Sequence, residues 1–586
     1  MSSPIYDQLC LPQKNRDIRL LRLFPGDWEH DIYGEIRVAN MDESSYWALS
    51  YAWGGGQRLR TLSLNGTQVS VTANLESALR RLRAMKILDL WVDALCINQA
   101  DTSERNHQVA LMRDIYHRSE EVIVWLGEET LTSSDSPTGS VRDAFATLKH
   151  ILDWSDSLST QLKTLAIGLE TLMGVPWWTR TWVVQEIVVA QKAQIVYGST
   201  TLEWAELATY AKVLDNHLEK CCAKVFDNLS ADEQTALYNF INPLLDIESL
   251  RSQLANGRPY LLDLLRKFRS RLASDKRDKV FAFLGLGNLS RQEPIKVDYT
   301  MTNCEVYQEA ALGLIRDTSS LQVLMCGSEW QEGSQFPSWV PDWSAPIPYP
   351  GLLAARLRQV SSGLYQASKG KAPEISIYGE PALFHLTGIA VDRISRVGEI
   401  MRPFADRADY KIGEDVRDWQ KVMPPSSQEY VGGCYSNIAA FKRTMFTDLF
   451  FEESRGASRR LDERDSISWG TWWRSNAQGF VNPNLDFDGV DETLETATAM
   501  RRFFVTDQGW MGLGPAATCA DDHVFVLFGG ETPFILRHVA ENMEVDQSNF
   551  GKPSRFSLVG DCFVQGIMDG EILDDSAKCV QTVSLI

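Results

Sequence analysis

Apolar and polar residues alternate between 17 and 40 (Ile18, Leu20, Leu21 and Leu23, then Ile32, Tyr33, Ile36 and Val38) around Pro25-Gly26, which predicts two short strands joined by a turn. A more apolar run over Trp47–Trp53 predicts a buried strand, broken by Gly54-Gly55-Gly56. Residues 61–71 alternate on either side of Asn65-Gly66, the signature of a hairpin with a type I′ turn. Helical spacing follows: Leu75, Ala78, Leu79 and Leu82 share one face, with Thr72 or Asn74 placed to cap it. Next come a buried strand over Ile87–Leu95, a helix over Glu104–Ser119 carrying Val109, Met112, Ile115 and Tyr116, and a short strand over Val122–Leu126. Strand, helix, strand, helix, strand is the pattern of a parallel sheet with helices on its faces.

Beyond a Ser-, Thr-, Pro- and Gly-rich loop at 131–140, the pattern predicts helices over Leu162–Met173 and Thr179–Gln191 and a strand over Gln194–Tyr197. Residues 203–330 read as mainly helical (Trp204–Leu214, Tyr260–Phe268, Val306–Ile315), whereas 405–500 are polar and carry no clear period. The tail reads as short strands between Gly and Pro turns: Arg501–Thr506, Gly512–Pro515, Val524–Phe528, Phe534–Arg537 and Phe556–Val559. The expected organisation is a β lead-in over 1–45, an α/β domain over 46–200, a helical region over 201–345, an irregular mixed region over 346–500, and a β-rich unit over 501–586. A chain of 586 residues is too long for one core, so several packed units are expected.

Charge narrows the partners. With 58 Lys and Arg against 77 Asp and Glu, the net charge of −19 argues against nucleic acid or an anionic membrane as the main partner. The one basic stretch, Arg266–Arg271 with Lys276–Lys279, is expected to be the solvated face of a helix and its loop. Ten Cys without a C-x-x-C pair indicate reduced thiols and a cytoplasmic setting, and no apolar run approaches the length of a membrane span. The eight His show no zinc spacing, so no metal site is expected. The Gly-rich 512–515 and Gly529-Gly530 read as turns, not phosphate loops.

Four blocks stand in order: Tyr46-Trp-Ala-Leu-Ser-Tyr-Ala-Trp-Gly54, Leu90-Trp-Val-Asp-Ala-Leu-Cys-Ile-Asn-Gln99, Gln108-Val-Ala-Leu-Met-Arg-Asp-Ile-Tyr116 and Trp182-Val-Val-Gln-Glu186. Together they resemble the heterokaryon incompatibility (HET) domain of filamentous fungi. The segments 278–286, 297–299 and 337–343 resemble patterns that follow the HET core in longer family members. The resemblance implies an incompatibility or innate-immunity effector that promotes programmed cell death, working through self-association or a non-self partner protein. The helix around Glu186 also resembles the one that carries the catalytic glutamate of NAD-cleaving TIR domains, and Leu49-Ser50-Tyr51 resembles their first strand. That likeness implies a flavodoxin-like sheet with helices on both faces.

Chemistry then centres on Glu186, a carboxylate in a helix that is apolar on nearly every side. Trp182 lies one turn before it and shares its face. The TIR likeness implies cleavage of the bond between nicotinamide and ribose, with NAD as substrate and no resident cofactor required. Glu186 would then stabilise an oxocarbenium-like transition state, Trp53 or Trp182 would stack the nicotinamide, and Gly54 and Gly55 with Gly56 would offer N–H groups to the diphosphate. Asp93, at the C-terminal end of a predicted parallel strand, would be a second carboxylate facing the same crevice as Ser50, Cys96 and Asn98. Structural readings stand beside these: Glu186 paired with Arg180 or another buried Arg, Asp93 and Asn98 as turn caps, and Cys96 as an inert thiol, not a nucleophile served by His107. Two further function classes remain. One is an HET-like enzyme or accessory protein of a secondary-metabolite pathway acting on a small hydrophobic molecule, with Trp and Phe lining its pocket; the other is a non-catalytic interaction protein.

Overall fold

The alternating run at 17–40 becomes an antiparallel pair, β1 (Asp17–Leu23) and β2 (Tyr33–Asn40), in register from Asp17 opposite Asn40 to Leu23 opposite Gly34. The computed structural model describes residues 4–12, 16–54, 59–129, 140–150, 158–220, 223–289, 295–326, 336–345, 358–359, 361–378, 383–403, 412–433, 436–452, 457–462, 465–477, 488–539 and 554–586. They divide into two units, one of residues 1–288 with 295–302 and one of residues 289–294 with 303–586.

The first unit is built on β1 and β2 with β3 (Trp47–Tyr51), β4 (Leu59–Leu64), β5 (Thr67–Thr72), β6 (Asp89–Trp91), β7 (Val122–Trp125), β8 (Ala193–Tyr197) and β9 (Thr200–Glu203). The hairpin of β4 and β5 turns through Asn65 (φ 52°) and Gly66 (φ 76°), both left-handed as a type I′ turn demands. Strand order is β5-β4-β2-β1-β6-β3-β7-β8-β9. Only β6, β3, β7 and β8 run parallel to their neighbours in that central block; β1 is antiparallel to β6, and β9 to β8. The sheet is therefore mixed, not the parallel sheet expected. The lead-in pair adds to β6, and the β4–β5 hairpin, inserted in the crossover from β3 to β6, adds to β2. The strand expected over Ile87–Leu95 stops at Trp91, because Asp93 opens a helical turn by accepting the Ala94 N–H on its own side chain (2.7 Å).

Three helices position the site. In α1 (Ala73–Ala84) the capping group is Thr72, whose hydroxyl accepts the Leu75 N–H; Asn74 instead ties the Ala52 carbonyl (2.6 Å) to the Trp125 indole (3.0 Å). Leu75, Ala78, Leu79 and Leu82 of α1 pack with Leu49, Tyr51, Leu90, Val92, Ile123 and Trp125. Burying each such leucine contributes about 2 kcal/mol. In α2 (Thr102–Arg118), capped by Asp101, the Tyr116 hydroxyl donates to the Leu49 carbonyl (3.2 Å) and its ring meets Trp91 edge-on at 5.4 Å. Right-handed crossovers that leave in opposite directions place α1 and α2 on opposite faces of the sheet. The helix expected over Thr179–Gln191 splits into a 3₁₀ turn, Pro176–Thr179, and α3 (Trp182–Val188). Helices Val141–Lys149, Leu158–Met173, Trp204–Glu219, Ala231–Asn256, Leu261–Lys267 and Asp278–Leu284 also belong to this unit, while Asn303–Thr318 belongs to the second.

The second unit contains β10 (Ile375–Tyr378), β11 (Leu383–Ile400), β12 (Leu449–Glu452), β13 (Ala457–Arg460), β14 (Arg501–Thr506), β15 (Met511–Pro515), β16 (His523–Leu527), β17 (Phe534–His538), β18 (Arg555–Asp561), β19 (Phe563–Val564) and β20 (Val580–Leu585). Strands β16, β17, β18, β20 and β11 follow one another, and β11 pairs back to β16, closing a five-stranded ring with no open edge. Past the ring, β11 continues into a second limb with β14, β15 and β19. This central strand of 18 residues lies in the region expected to be irregular. Gly512 and Gly514 lie within β15, not in turns between strands.

Candidate functional site

In the parallel block the chain starts at β3, crosses to β6 on one side and then to β7 on the other. At such a reversal, doubly wound sheets bind ligands beyond the carboxyl ends of their strands. Here that edge carries the last residues of β3, Ser50 and Tyr51, the Trp53-Gly54 turn that follows, and Asp93 just past β6. Successive residues of a strand point to opposite faces. Tyr51 accordingly enters the core covered by α1, whereas Ser50 meets α3.

The Ser50 hydroxyl donates to the Glu186 carboxylate of α3 and accepts from the Trp177 indole (2.7 Å). Glu186 is 1% exposed and Ser50 0%, so this chain of bonds is shut off from solvent. Burial pushes the Glu186 carboxyl up to about 7; the Arg180 charge and the Ser50 bond pull it back, and Asp93 adds to the rise. Arg180 is not a direct partner of Glu186. Its guanidinium donates to the Tyr51 carbonyl, and although burial works against its charge, Glu186 and Asp93 more than offset that through space.

Asp93 sits at the rim, half-buried. It accepts the indole N–H of Trp53 at 2.8 Å, and its own Ala94 N–H and Tyr51 bond to it as well. Burial raises its carboxyl above the ordinary range despite Arg180 and these donors. Trp53 is 41% exposed, and Gly54 follows with φ 77°, a backbone turn suited to glycine. Gly55 and Gly56 lie outside the described residues.

Other expected members are placed elsewhere. The Trp182 indole is committed to Asp278, which also accepts the Tyr299 hydroxyl (2.6 Å); burial raises that carboxyl to about 6 against both bonds. Over the Tyr299 ring lie the guanidinium groups of Arg105 at 3.8 Å and Arg277 at 5.1 Å. Trp182 therefore anchors α3 to the 278–299 segment through its indole N–H. Cys96 is fully buried, accepts the Val92 N–H (3.3 Å), and burial pushes its thiol up to about 12, so it is inert. Asn98 caps its own turn through the Ala100 N–H. Of the crevice group Asp93, Ser50, Cys96 and Asn98, only Asp93 opens to the rim.

The basic stretch is solvated only in part: Lys276 is exposed, whereas Arg269, Arg271 and Lys279 are buried. Lys279 donates to the carbonyls of Arg269 (2.8 Å) and Arg271, and Arg271 donates to that of Trp178. The loop after β6 has a buried brace that periodicity does not reveal: Arg19, 0% exposed, grips Glu104 with two bonds, and Glu104 also accepts the Asn98 N–H (2.7 Å). Trp177 follows Pro176, a residue suited to a helix start, and nothing else in the sequence marks its role. Among the described residues no three His, Cys, Asp or Glu side chains gather to hold a metal ion, and no helix is long and apolar enough to cross a membrane.

With this geometry in place, comparison with known proteins gives two family matches. Residues 46–186, from the residue that precedes β3 to Glu186 itself, match the family described as heterokaryon incompatibility protein (HET). The chain thus carries an HET domain. Residues 484–579 match the Het-6 beta-barrel domain, and β11 and β20, which close the ring, flank that match. The HET-domain protein is similar along nearly all its length to heterokaryon incompatibility protein 6, OR allele, of Neurospora crassa, with 23% identity over 98% of this chain and 97% of the relative. No solved structure matches it.

Proposed function

We propose that this HET-domain protein acts in heterokaryon incompatibility, and that its N-terminal unit executes the response by hydrolysing NAD between nicotinamide and ribose. The observation that carries the chemistry is that Asp93 stands half-buried at the rim and its charge is felt by the buried Glu186 carboxyl, which is pushed up to about 7. When the bond from the ribose C1′ to the pyridinium nitrogen breaks, its electron pair neutralises the departing nicotinamide and leaves an oxocarbenium-like sugar. A carboxylate near that sugar stabilises the developing positive charge. In the TIR-like reading the glutamate itself meets the ribose; burial of Glu186 moves that contact to Asp93. Water then adds to C1′ and loses its proton to the Asp93 carboxylate.

The indole of Trp53 takes the nicotinamide ring, and the turn at Gly54 offers backbone N–H groups to the diphosphate. Glu186 touches no substrate. Its ionisation deepens the negative potential felt at Asp93, which makes it a positioning residue for charge. Expression in yeast tests the reading as a whole: the wild-type chain should lower the cellular NAD pool and arrest growth, and Asp93→Asn, expressed to the same level, should do neither. Arrest with an undiminished NAD pool would sink the NAD mechanism and leave the incompatibility role intact.

A further inference from the structure

The nine-stranded sheet of the first unit ends on β9 at one side and on β5 at the other, and an outer strand leaves every second N–H and C=O without a neighbour. Soluble proteins blunt such edges by keeping the strand short or by placing charge, proline or a bulge on it. At β9 two of these devices act: the strand has four residues, and it ends on the exposed Glu203. None acts at β5. Its six residues, Thr67-Gln-Val-Ser-Val-Thr72, include no charge and no proline, and they pair with β4 from Leu64 opposite Thr67 to Leu59 opposite Thr72 without a shift of register.

The hairpin turn decides which groups are left over. With two residues in the turn, Leu64 and Thr67 form the closing hydrogen-bonded pair, so Val69 and Val71 also bond to β4 while Gln68 and Ser70 turn their backbone groups outward. Both are exposed, and among the described residues no backbone bond reaches the outward groups of either. Their neighbours face the other way: the Val71 side chain belongs to the core under α1, and Val69 packs against that core but is only half-buried.

This pattern fits its own copy. Two β5 strands turned antiparallel about a two-fold axis through Val69 place Gln68 opposite Ser70 and Ser70 opposite Gln68, and each of these pairs exchanges both N–H···O bonds. Val69 then stands against its counterpart in a close, non-hydrogen-bonded pair, which covers the side of that valine that the core leaves open. Charge selects this strand over other surfaces. Two chains of net charge −19 repel, and like charges directly opposite one another destabilise a strand pair, but every residue of β5 that meets its partner here is neutral.

We propose that this chain forms a symmetric dimer through β5, with a second copy of itself on the open edge so that two sheets join into one. Sedimentation velocity of the full chain from about 1 to about 100 µM, where a small interface assembles, should show a dimer at the upper end. Hydrogen exchange there should find the amides of Gln68 and Ser70 protected. Ser70→Pro removes an outward N–H that β4 does not use, so the melting temperature should hold while association weakens at least about tenfold. Where that variant does not fold, Ser70→Glu carries the test: it sets two like charges near the axis and should weaken association as much. A monomer throughout the range, a dimer whose Gln68 and Ser70 amides stay unprotected, or association undiminished by the folded variant would overturn the proposal.

Discussion

The Ser50 hydroxyl donates to the Glu186 carboxylate across 136 residues of sequence while accepting from the Trp177 indole, so one oxygen joins the end of β3 to both elements that precede β8. Ser50→Ala leaves a buried indole N–H and a buried carboxyl without that partner. Each orphaned group costs about 1–3 kcal/mol. The urea transition of the N-terminal unit should move to lower concentration by an amount worth about 3 kcal/mol, and an unchanged midpoint would show that the bond carries no stability.

The raised Glu186 carboxyl makes this unit weaker in alkali. Its folded value of about 7 lies above the ordinary 4.5, so the folded state holds a proton that the unfolded chain has lost between those limits. The benefit of burying a neutral carboxyl is complete below about 4.5 and gone once pH has risen through about 7, a difference of about 3 kcal/mol. Between pH 5 and pH 8 the wild type should therefore lose most of that stability relative to Glu186→Gln, which does not titrate. Parallel pH profiles of the two proteins would contradict the buried-acid assignment.

Asp93 and Trp53 meet at the rim, and their loss should touch activity more than folding. Asp93→Asn keeps the size of the side chain and the bond from the Trp53 indole but removes the charge. Nicotinamide release from NAD should fall at least about 100-fold, the scale of losing one electrostatic stabiliser of a transition state. Trp53→Ala should raise KM for NAD more than it lowers kcat, with unfolding changed by less than about 1 kcal/mol, since the ring is 41% exposed.

Glu104→Ala strands Arg19, which is fully buried and among the described residues has no other carboxylate as a hydrogen-bond partner. Breaking a buried pair from one side costs about 3–5 kcal/mol. The same change frees the Asn98 N–H, so exchange of amide hydrogens over 93–98 should accelerate with the loss of stability. Protection that persists in that loop would show that the brace lies elsewhere.

Local features were legible where their cause is local. Asn65-Gly66 announces its turn by the positive φ it needs, and Leu75, Leu79 and Leu82 announce the buried face of α1. Glu186 stood out because a carboxylate is costly in an apolar helix, and Ser50 was placed in the same crevice, but Trp177 left no trace, since it is a residue any core accepts. Long-range bonds to backbone leave still less trace: Lys279 and Arg271 answer to carbonyls, which no residue type marks, so the basic stretch read as solvated. The long strand β11 was hidden for another reason. Its pairing register shifts between Ala390 and Asp392, between Ile394 and Arg396, and between Val397 and Ile400, and each shift breaks the two-residue period by which strands are recognised.

The most direct measurement of the central claim is nicotinamide release from NAD by the purified full-length chain between pH 5 and pH 9, with Glu186→Gln and Asp93→Asn alongside. Release by the wild type should rise as pH passes through about 7, where Glu186 ionises and favours the cationic transition state. Glu186→Gln should lose that inflection, and Asp93→Asn should lose release at every pH. No release by the wild type, or release that Asp93→Asn leaves intact, would contradict the paired-carboxylate account.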